Sequence, residues 1–520
     1  MLASPATRPG EVFRRLCVPG CDVTRRDILR WSAIAAAAIP LAGVVDPARS
    51  DASTGAAGTG EVVPVNLELV TLTEDRAVVT WYTGEAGTND GTGRMVPLPA
   101  DGEVWYGTNP RRLNRVAGQS GPLTPYHHVE LTGLEPGQTY YYQARSRGKL
   151  AAPMVFTLIA GNAVGTSDYG LGTPGGPFSF TTPQPPPGRY LFSVVLCNDL
   201  HMGETQAGLV GGDPSVIPIV QVPGEPPYPE VMLESLVRDV RSFDPTYLLA
   251  AGDISAEAVP GDLSRAGQLL DRFGVYREDY FLTRGNHDRA HVGDPYANCR
   301  VGRWQGNDCF QDRYFPDDEV AFYSTDLSGL HVIGLDTYDK AGGGGDAGAL
   351  AAEQYAWFMK DLAEHKEQPT LVFGHHPLVV QESSKPIKSS SSLDAAQAAS
   401  ILETYAKTPG VFLHHAGHTH RNHHTVSPSA PRVTLQEVAA AKEYPGGFSI
   451  LRLHSEGFAL NFHKSRSDLA REWSERSRQE LAGSWAQFAL GNNVVDRNIV
   501  KKVDLSGLRR PERTAAGTRG

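Results

Sequence analysis

Four apolar runs of strand length each lead into a short polar motif, and these motifs, with a fifth, fall in a fixed order along the chain. Residues 190–197 (YLFSVVLC) run into Asn198-Asp199-Leu200-His201, and residues 247–251 (YLLAA) into Gly252-Asp253. Residues 370–373 (TLVF) run into Gly374-His375-His376-Pro377, and residues 411–413 (VFL) lead toward Gly417-His418-Thr419-His420. Gly285-Asn286-His287-Asp288 stands in the middle of the series. Short runs that are apolar throughout read as strands buried on both faces, as in a sheet covered by helices. Helical patterning in residues 229–243 and 353–366 alternates with them, so a layered α/β fold is expected. In such sheets the functional loops follow the strand ends along one edge, which would gather the five motifs at one place.

The motifs are rich in metal-binding donors. Asp199 and His201 alternate along what reads as an extended segment, so both side chains should face one side and serve one ion. Asp253 follows a glycine that lets the backbone turn sharply, and its two carboxylate oxygens can bridge two cations. Asn286 offers a neutral amide oxygen, which limits the charge donated to a second ion. His375, His418 and His420 add imidazoles, which suit Mn, Fe or Zn better than Mg or Ca. The mixture implies a two-metal hydrolytic centre, in which a bound water is acidified and charge on a phosphoryl group is neutralised. Each motif alone would be an ordinary turn or loop; the ordered set carries the inference.

On these five blocks, residues 190–465 resemble the calcineurin-like metallophosphoesterase superfamily, which includes purple acid phosphatases and cyclic-nucleotide phosphodiesterases. The resemblance implies a four-layer α/β sandwich, two mixed β-sheets flanked by helices. It implies that Asp199, His201, Asp253 and His420 hold a first metal, and that Asp253, Asn286, His375 and His418 hold a second, with Asp253 bridging. His287 is then the catalytic histidine that contacts phosphate or protonates the leaving oxygen, and Asp288 orients it. The family pattern places the ligand two residues before proline, which selects His375 and leaves His376 as a supporting or substrate-facing group. Arg284 stands where a proline is common; it either forks onto a substrate phosphate or is a loop charge. Purple enzymes carry a metal-bound tyrosine just after the second block, where this chain has Ile254-Ser255-Ala256, and they lack a counterpart of His201. His414, His415, His423 and His424 read as neighbours of the centre rather than ligands.

Residues 1–50 read as a twin-arginine signal peptide and stand outside the fold. Thr24-Arg25-Arg26-Asp27-Ile28-Leu29-Arg30 fits the pattern, and the apolar stretch 31–45 contains Pro40 and is too short to span a bilayer comfortably. Export by the twin-arginine (Tat) machinery of a prokaryote is expected. Cleavage near residues 45–55 would leave no stable membrane span, and the mature protein would be periplasmic, in the cell envelope or secreted. Cys17 and Cys21 would leave with the leader, Cys197 reads as a small buried apolar residue, and Cys299 and Cys309 could close a disulfide in an exported protein. A net charge of -10 argues against general nucleic-acid binding.

Residues 60–183 have another texture, with short alternating runs between Gly and Pro turns, the pattern of an all-β sandwich. The segment Leu134-Glu135-Pro136-Gly137-Gln138-Thr139-Tyr140 resembles the tyrosine corner of fibronectin type III domains, with Trp81 as a core residue. The stretch is also similar to the N-terminal domain of purple-acid-phosphatase-type proteins. A Pro-rich linker, 184–189, separates it from the second domain, and residues 466–520 read as an amphipathic helix followed by a tail. The expectation is an exported, dinuclear metal-dependent phosphoesterase, hydrolysing small phosphomonoesters or phosphodiesters by metal-activated hydroxide. Its cofactors would be two divalent or mixed-valence ions of Mn, Fe or Zn. The alternatives are a phosphodiesterase specific for nucleotides or glycerophosphodiesters, and a catalytically silent cell-envelope binding protein.

Overall fold

Alternation of apolar and polar residues builds the first domain. In the computed structural model, which describes residues 60–511 apart from 154–175, 209–217, 292–295, 302–305, 339–345, 380–390 and 484, eight strands precede the linker. They are β1 (Val62–Leu72), β2 (Arg76–Glu85), β3 (Glu103–Gly107), β4 (Arg115–Gly118), β5 (Tyr126–Thr132), β6 (Thr139–Ser146), β7 (Lys149–Leu150) and β8 (Phe178–Thr181). Strands β1, β2 and β5 make one antiparallel sheet, and β3, β4, β6, β7 and β8 make the other. Tyr140, Tyr142 and Ala144 of β6 alternate inward and meet Leu69, Val79 and Trp81 of the facing sheet. Trp81 donates from Nε1 to Ser146 Oγ at 2.9 Å and stacks on His127. The Glu135 amide donates to Tyr140 Oη at 3.0 Å, which closes the expected tyrosine corner. The expected leader and the last residues of the expected tail lie outside the described residues.

The second domain has two six-stranded mixed sheets. One holds β9 (Tyr190–Cys197), β12 (Tyr247–Ala251), β13 (Tyr280–Thr283), β20 (Gly447–His454), β21 (Gly457–Lys464) and β22 (Asn498–Lys502), in the order β13-β12-β9-β20-β21-β22. The other holds β14 (Tyr323–Leu327), β15 (Leu330–Leu335), β16 (Thr370–Gly374), β17 (Val411–Ala416), β18 (His423–Thr425) and β19 (Thr434–Glu437), in the order β14-β15-β16-β17-β19-β18. A two-stranded ribbon, β10 (Gln206–Ala207) with β11 (Ile219–Val220), lies outside both. Within the first sheet β9, β12 and β13 run parallel, and within the second β15, β16, β17 and β19 do. The sheets pack face to face, as the side chains of β16 show. Leu371 and Phe373 enter the core shared with the first sheet, while Val372 joins the outer core with Phe358 and Leu362 of α4 (Ala352–Glu364) and Ile401 and Tyr405 of α5 (Ala395–Ala406). Leu233, Leu236 and Val240 of α1 (Tyr228–Val240) and Leu263 of α2 (Pro260–Leu270) cover the first sheet, which completes four layers. The short α3 (Cys309–Tyr314) packs beside α2.

Two features differ from the sequence reading. Residues 498–502, to which the sequence reading gave no strand, pair antiparallel with β21 as an edge strand, after α6 (Asp468–Ser477) and α7 (Ala486–Leu490). The sandwich is also keyed into the second domain and not held by its linker alone. Glu68 of β1 is fully buried; its Oε1 accepts from Tyr444 Oη at 2.6 Å and from Arg478, and its Oε2 from Lys464 Nζ at 3.0 Å. Arg497 donates to the carbonyls of Leu69 and Val70. No helix among the described residues is long and apolar enough to cross a membrane.

Candidate metal centre

Parallel strands bring the motifs to one edge. Asp199 lies just beyond β9, Asp253 beyond β12, Asn286 beyond β13, His375 beyond β16 and His418 beyond β17. Backbone bonds lace these loops together: the amides of Leu200 and His201 donate to Asp253 O at 2.8 and 2.9 Å, and Gly417 N donates to His375 O at 2.9 Å. Glycines permit the close approach. A Cβ on Gly252 would lie 2.6 Å from His375 Cβ, and Gly252 sits at φ +81°.

Asp199 and His201 do not alternate along an extended segment. Their φ values are +51° and +44°, and Asp253, His418 and His420 also lie in the left-handed region, at +50°, +65° and +50°. Such backbone costs a non-glycine residue on the order of 1 kcal/mol or more, and strain of this kind persists where the surroundings impose it, often at functional sites. Here it turns the side chains toward one another. His420 Nε2 lies 3.2 Å from Asp199 Oδ1, and His201 Nε2 lies 3.3 Å from Asp253 Oδ2 and 3.8 Å from Asp199 Oδ1. On the other side of Asp253, His375 Nε2 lies 3.0 Å from Oδ2, 3.1 Å from Asn286 Oδ1 and 3.2 Å from His418 Nδ1. Donor atoms of Asp199, His201 and His420 fall within 4.8 Å of one another, as do those of Asp253, His375 and His418. His201, Asp253 and His287 form a third such group, so Asp253 stands between the two halves.

The donors fit cations. Asp199 Oδ1 and both ring nitrogens of His201 are buried without a hydrogen bond, although unpaired polar atoms at such depth are costly. Burial pushes the Asp199 carboxyl up, yet His420, His201 and His375 hold it well below the usual carboxylate range. Burial likewise opposes charge on His375, but Asp253 and Asp199 raise it to about 9. The cluster therefore attracts positive charge, which imidazole and carboxylate donors can pass to a transition metal.

The remaining sequence-derived residues are placed as follows. His287 has its Nδ1 on Ala256 O at 2.8 Å, which leaves Nε2 toward the centre, and its ring lies 4.6 Å from that of His201. Asp288 does not touch the His287 ring. Its carboxylate accepts from the amides of Ile254, Ser255 and Gly285 and from Ser255 Oγ, tying the second loop to the third. The backbone carbonyl of Ala256 thus does the orienting expected of Asp288. Arg284 is buried and engaged within the protein: it is bidentate to Asp308, donates from Nε to Asp336 at 2.9 Å, and also reaches Asp288 O. His376 is fully buried, with Nδ1 2.8 Å from Thr337 Oγ1 and Nε2 3.0 Å from Asp346 O, so both nitrogens are engaged within the protein. His414 and His415 bond to Tyr405 Oη and Cys197 O. Cys299 forms a disulfide with Cys309, the first residue of α3, next to Asp308. The sequence reading missed Lys442 and Glu443, whose signal was a charged pair ending the apolar run 438–441, and Glu204. Glu443 Oε1 lies 2.5 Å from His420 Nδ1.

Residues 192–422 match the calcineurin-like phosphoesterase family, and residues 62–158 match the purple acid phosphatase N-terminal domain. The chain carries a calcineurin-like phosphoesterase domain. As such it is a hydrolase of phosphoric ester bonds, with the sandwich domain of purple acid phosphatases ahead of its catalytic domain. No curated protein matches the chain. Among solved structures, the phosphoesterase resembles a purple acid phosphatase from yellow lupin (Lupinus luteus) seeds, at 16% identity over 78% of this chain and 73% of that one, with a TM-score of 0.36. A dimetal phosphatase from Danio rerio matches at 14% identity over 53% of this chain and 97% of its own, with a TM-score of 0.39. A structure of PhoD matches at 12% identity over 76% and 85%, with a TM-score of 0.35.

Proposed function

We propose that this phosphoesterase uses two transition-metal ions, of Mn, Fe or Zn, to hydrolyse small phosphomonoesters or phosphodiesters outside the cytoplasm. The observation that carries the reading is the pair of donor clusters meeting at Asp253, with His287 beside them. Asp199, His201 and His420 would hold one ion, Asn286, His375 and His418 the other, and Asp253 would serve both. When bound, such ions lower the pKa of a coordinated water and neutralise phosphoryl oxygens. The chain's own part is to fix these donors on braced loops and to present His287. Burial holds that ring below its ordinary value, against the pull of Asp253, so the free site keeps it neutral. An anionic phosphate facing Nε2 favours the charged ring, which can then give its proton to the departing oxygen.

The absence of a tyrosine in Ile254-Ser255-Ala256 supports reading the centre as outside the purple branch, despite the purple-type sandwich. Export rests on Arg25-Arg26 and the apolar stretch behind them, and the Cys299–Cys309 disulfide suits an oxidising compartment. Purified protein supplied with each metal should turn over para-nitrophenyl phosphate, bis-para-nitrophenyl phosphate, or both. Two bound ions with no turnover of either ester would instead support a silent binding protein.

A further inference from the structure

Behind the first donor cluster lies a buried charged group that the catalytic reading leaves unused. Glu443 is 2% exposed and takes the Nδ1 proton of His420, so that His420 turns Nε2 to Asp199 at 3.2 Å. Glu204 Oε2 faces Nδ1 of His201 at 3.6 Å. Lys442 lies between the two carboxylates, with Nζ 2.5 Å from Glu204 Oε2 and 3.1 Å from Glu443 Oε2. Trp473 fixes the Lys442 backbone by donating from Nε1 to its carbonyl at 2.9 Å. Both imidazoles of the first cluster are therefore backed by carboxylates held in register by one ammonium group.

The second cluster is backed differently. His375 Nδ1 rests on the neutral carbonyl of Ala251 at 2.8 Å, and Asn286 Nδ2 lies 3.5 Å from Asp346 Oδ1. A carboxylate behind a metal-binding imidazole fixes its tautomer and ring orientation and raises its basicity, and loss of such a partner typically costs 10–100-fold in metal affinity. We propose that Glu443, with Glu204 and under the hold of Lys442, is a positioning residue that makes the Asp199–His201–His420 site the tighter of the two. The inference rests on the reading of the centre as a two-ion site.

Titration of the metal-free full chain with zinc alone, followed by calorimetry and by elemental analysis after equilibrium dialysis, tests it. The wild type should bind two ions in unequal steps. Glu443→Gln keeps the side-chain volume and an acceptor but removes the charge, and should weaken the tighter step about 10–100-fold while leaving the weaker step in place. Glu204→Gln alters a side chain with 17% exposure, and serves as the second variant if Glu443→Gln fails to fold; it should weaken the same step by a smaller factor. A general structural role would weaken both steps together, and that result, or two unchanged steps in both variants, overturns the inference. A wild-type chain that takes up no zinc overturns the two-ion reading itself, and this inference with it.

Discussion

Replacing Glu68 should destabilise the protein in a way that depends on pH. Glu68 lies on the sandwich domain, yet its partners Tyr444, Lys464 and Arg478 all belong to the phosphoesterase domain, and Thr80 Oγ1 donates to it at 3.1 Å. Burial pushes its carboxyl up, and Lys464 and Arg478 more than offset that, lowering it from 4.5 to about 2. A difference of that size corresponds to about 3 kcal/mol between the charged and neutral forms. The folded value is the depressed one, so this stability is fully present above about pH 4.5 and is lost as pH falls toward 2. Glu68→Gln leaves two buried cations facing an amide, and breaking a buried pair in that way costs about 3–5 kcal/mol, which agrees with the linkage figure. At roughly 2.1 cal/mol/K of unfolding entropy per residue, a chain of this size should melt about 3 °C lower at pH 7. The check is to measure urea unfolding of both proteins from pH 7 to pH 2.5, with limited proteolysis to see whether the sandwich is released first. The gap between wild type and variant should narrow steadily below pH 4.5. Equal stability at pH 7, or a gap that stays constant down to pH 2.5, would refute the reasoning.

Asp253→Asn removes the one carboxylate shared by both donor clusters, so elemental analysis should find fewer than two ions bound, with activity lost in parallel; full occupancy would count against the bridge. His287→Ala should keep both metals and lower turnover about 10²–10⁴-fold, with a smaller loss on para-nitrophenyl phosphate than on an alkyl phosphate, because a good leaving group hardly needs the proton. Wild-type rates on both esters would remove His287 from the mechanism. The oxidised, iron-loaded protein should show no intense visible charge-transfer band, since Ile254-Ser255-Ala256 supply no tyrosinate. Arg25→Lys combined with Arg26→Lys should leave the precursor in the cytoplasm, as read by fractionation and immunoblot; unchanged export would discard the twin-arginine reading.

What could be read along the chain was what is local in it. The run YLFSVVLC is β9 and YLLAA is β12, because segments buried on both faces leave no polar positions to blur their ends. The donors could be named for the same reason, since each follows a strand of the two sheets within four residues. Orientation was hidden. Nothing in Asn198-Asp199-Leu200-His201 announces two left-handed residues, because that backbone is imposed by bonds to the Asp253 loop and by the packing of Gly417 against Asn198. Support was hidden too. Arg284 looked free to meet a phosphate until Asp308 and Asp336, brought in from later loops, were seen to take its guanidinium. Asp288 looked like the partner of its neighbour His287, but three of its carboxylate's four hydrogen bonds go to the loop after β12 and the fourth to Gly285 of its own loop. A tie between residues distant in sequence, Glu68 to Arg478, joins the first sandwich strand to the far end of the phosphoesterase domain, and Tyr444 in that same tie adjoins Glu443, which holds His420. A hydroxyl that holds the sandwich in place is thus one residue from the carboxylate that backs the first donor cluster. A residue's type could be read as chemistry, but its duty was decided by partners that only the fold brings near.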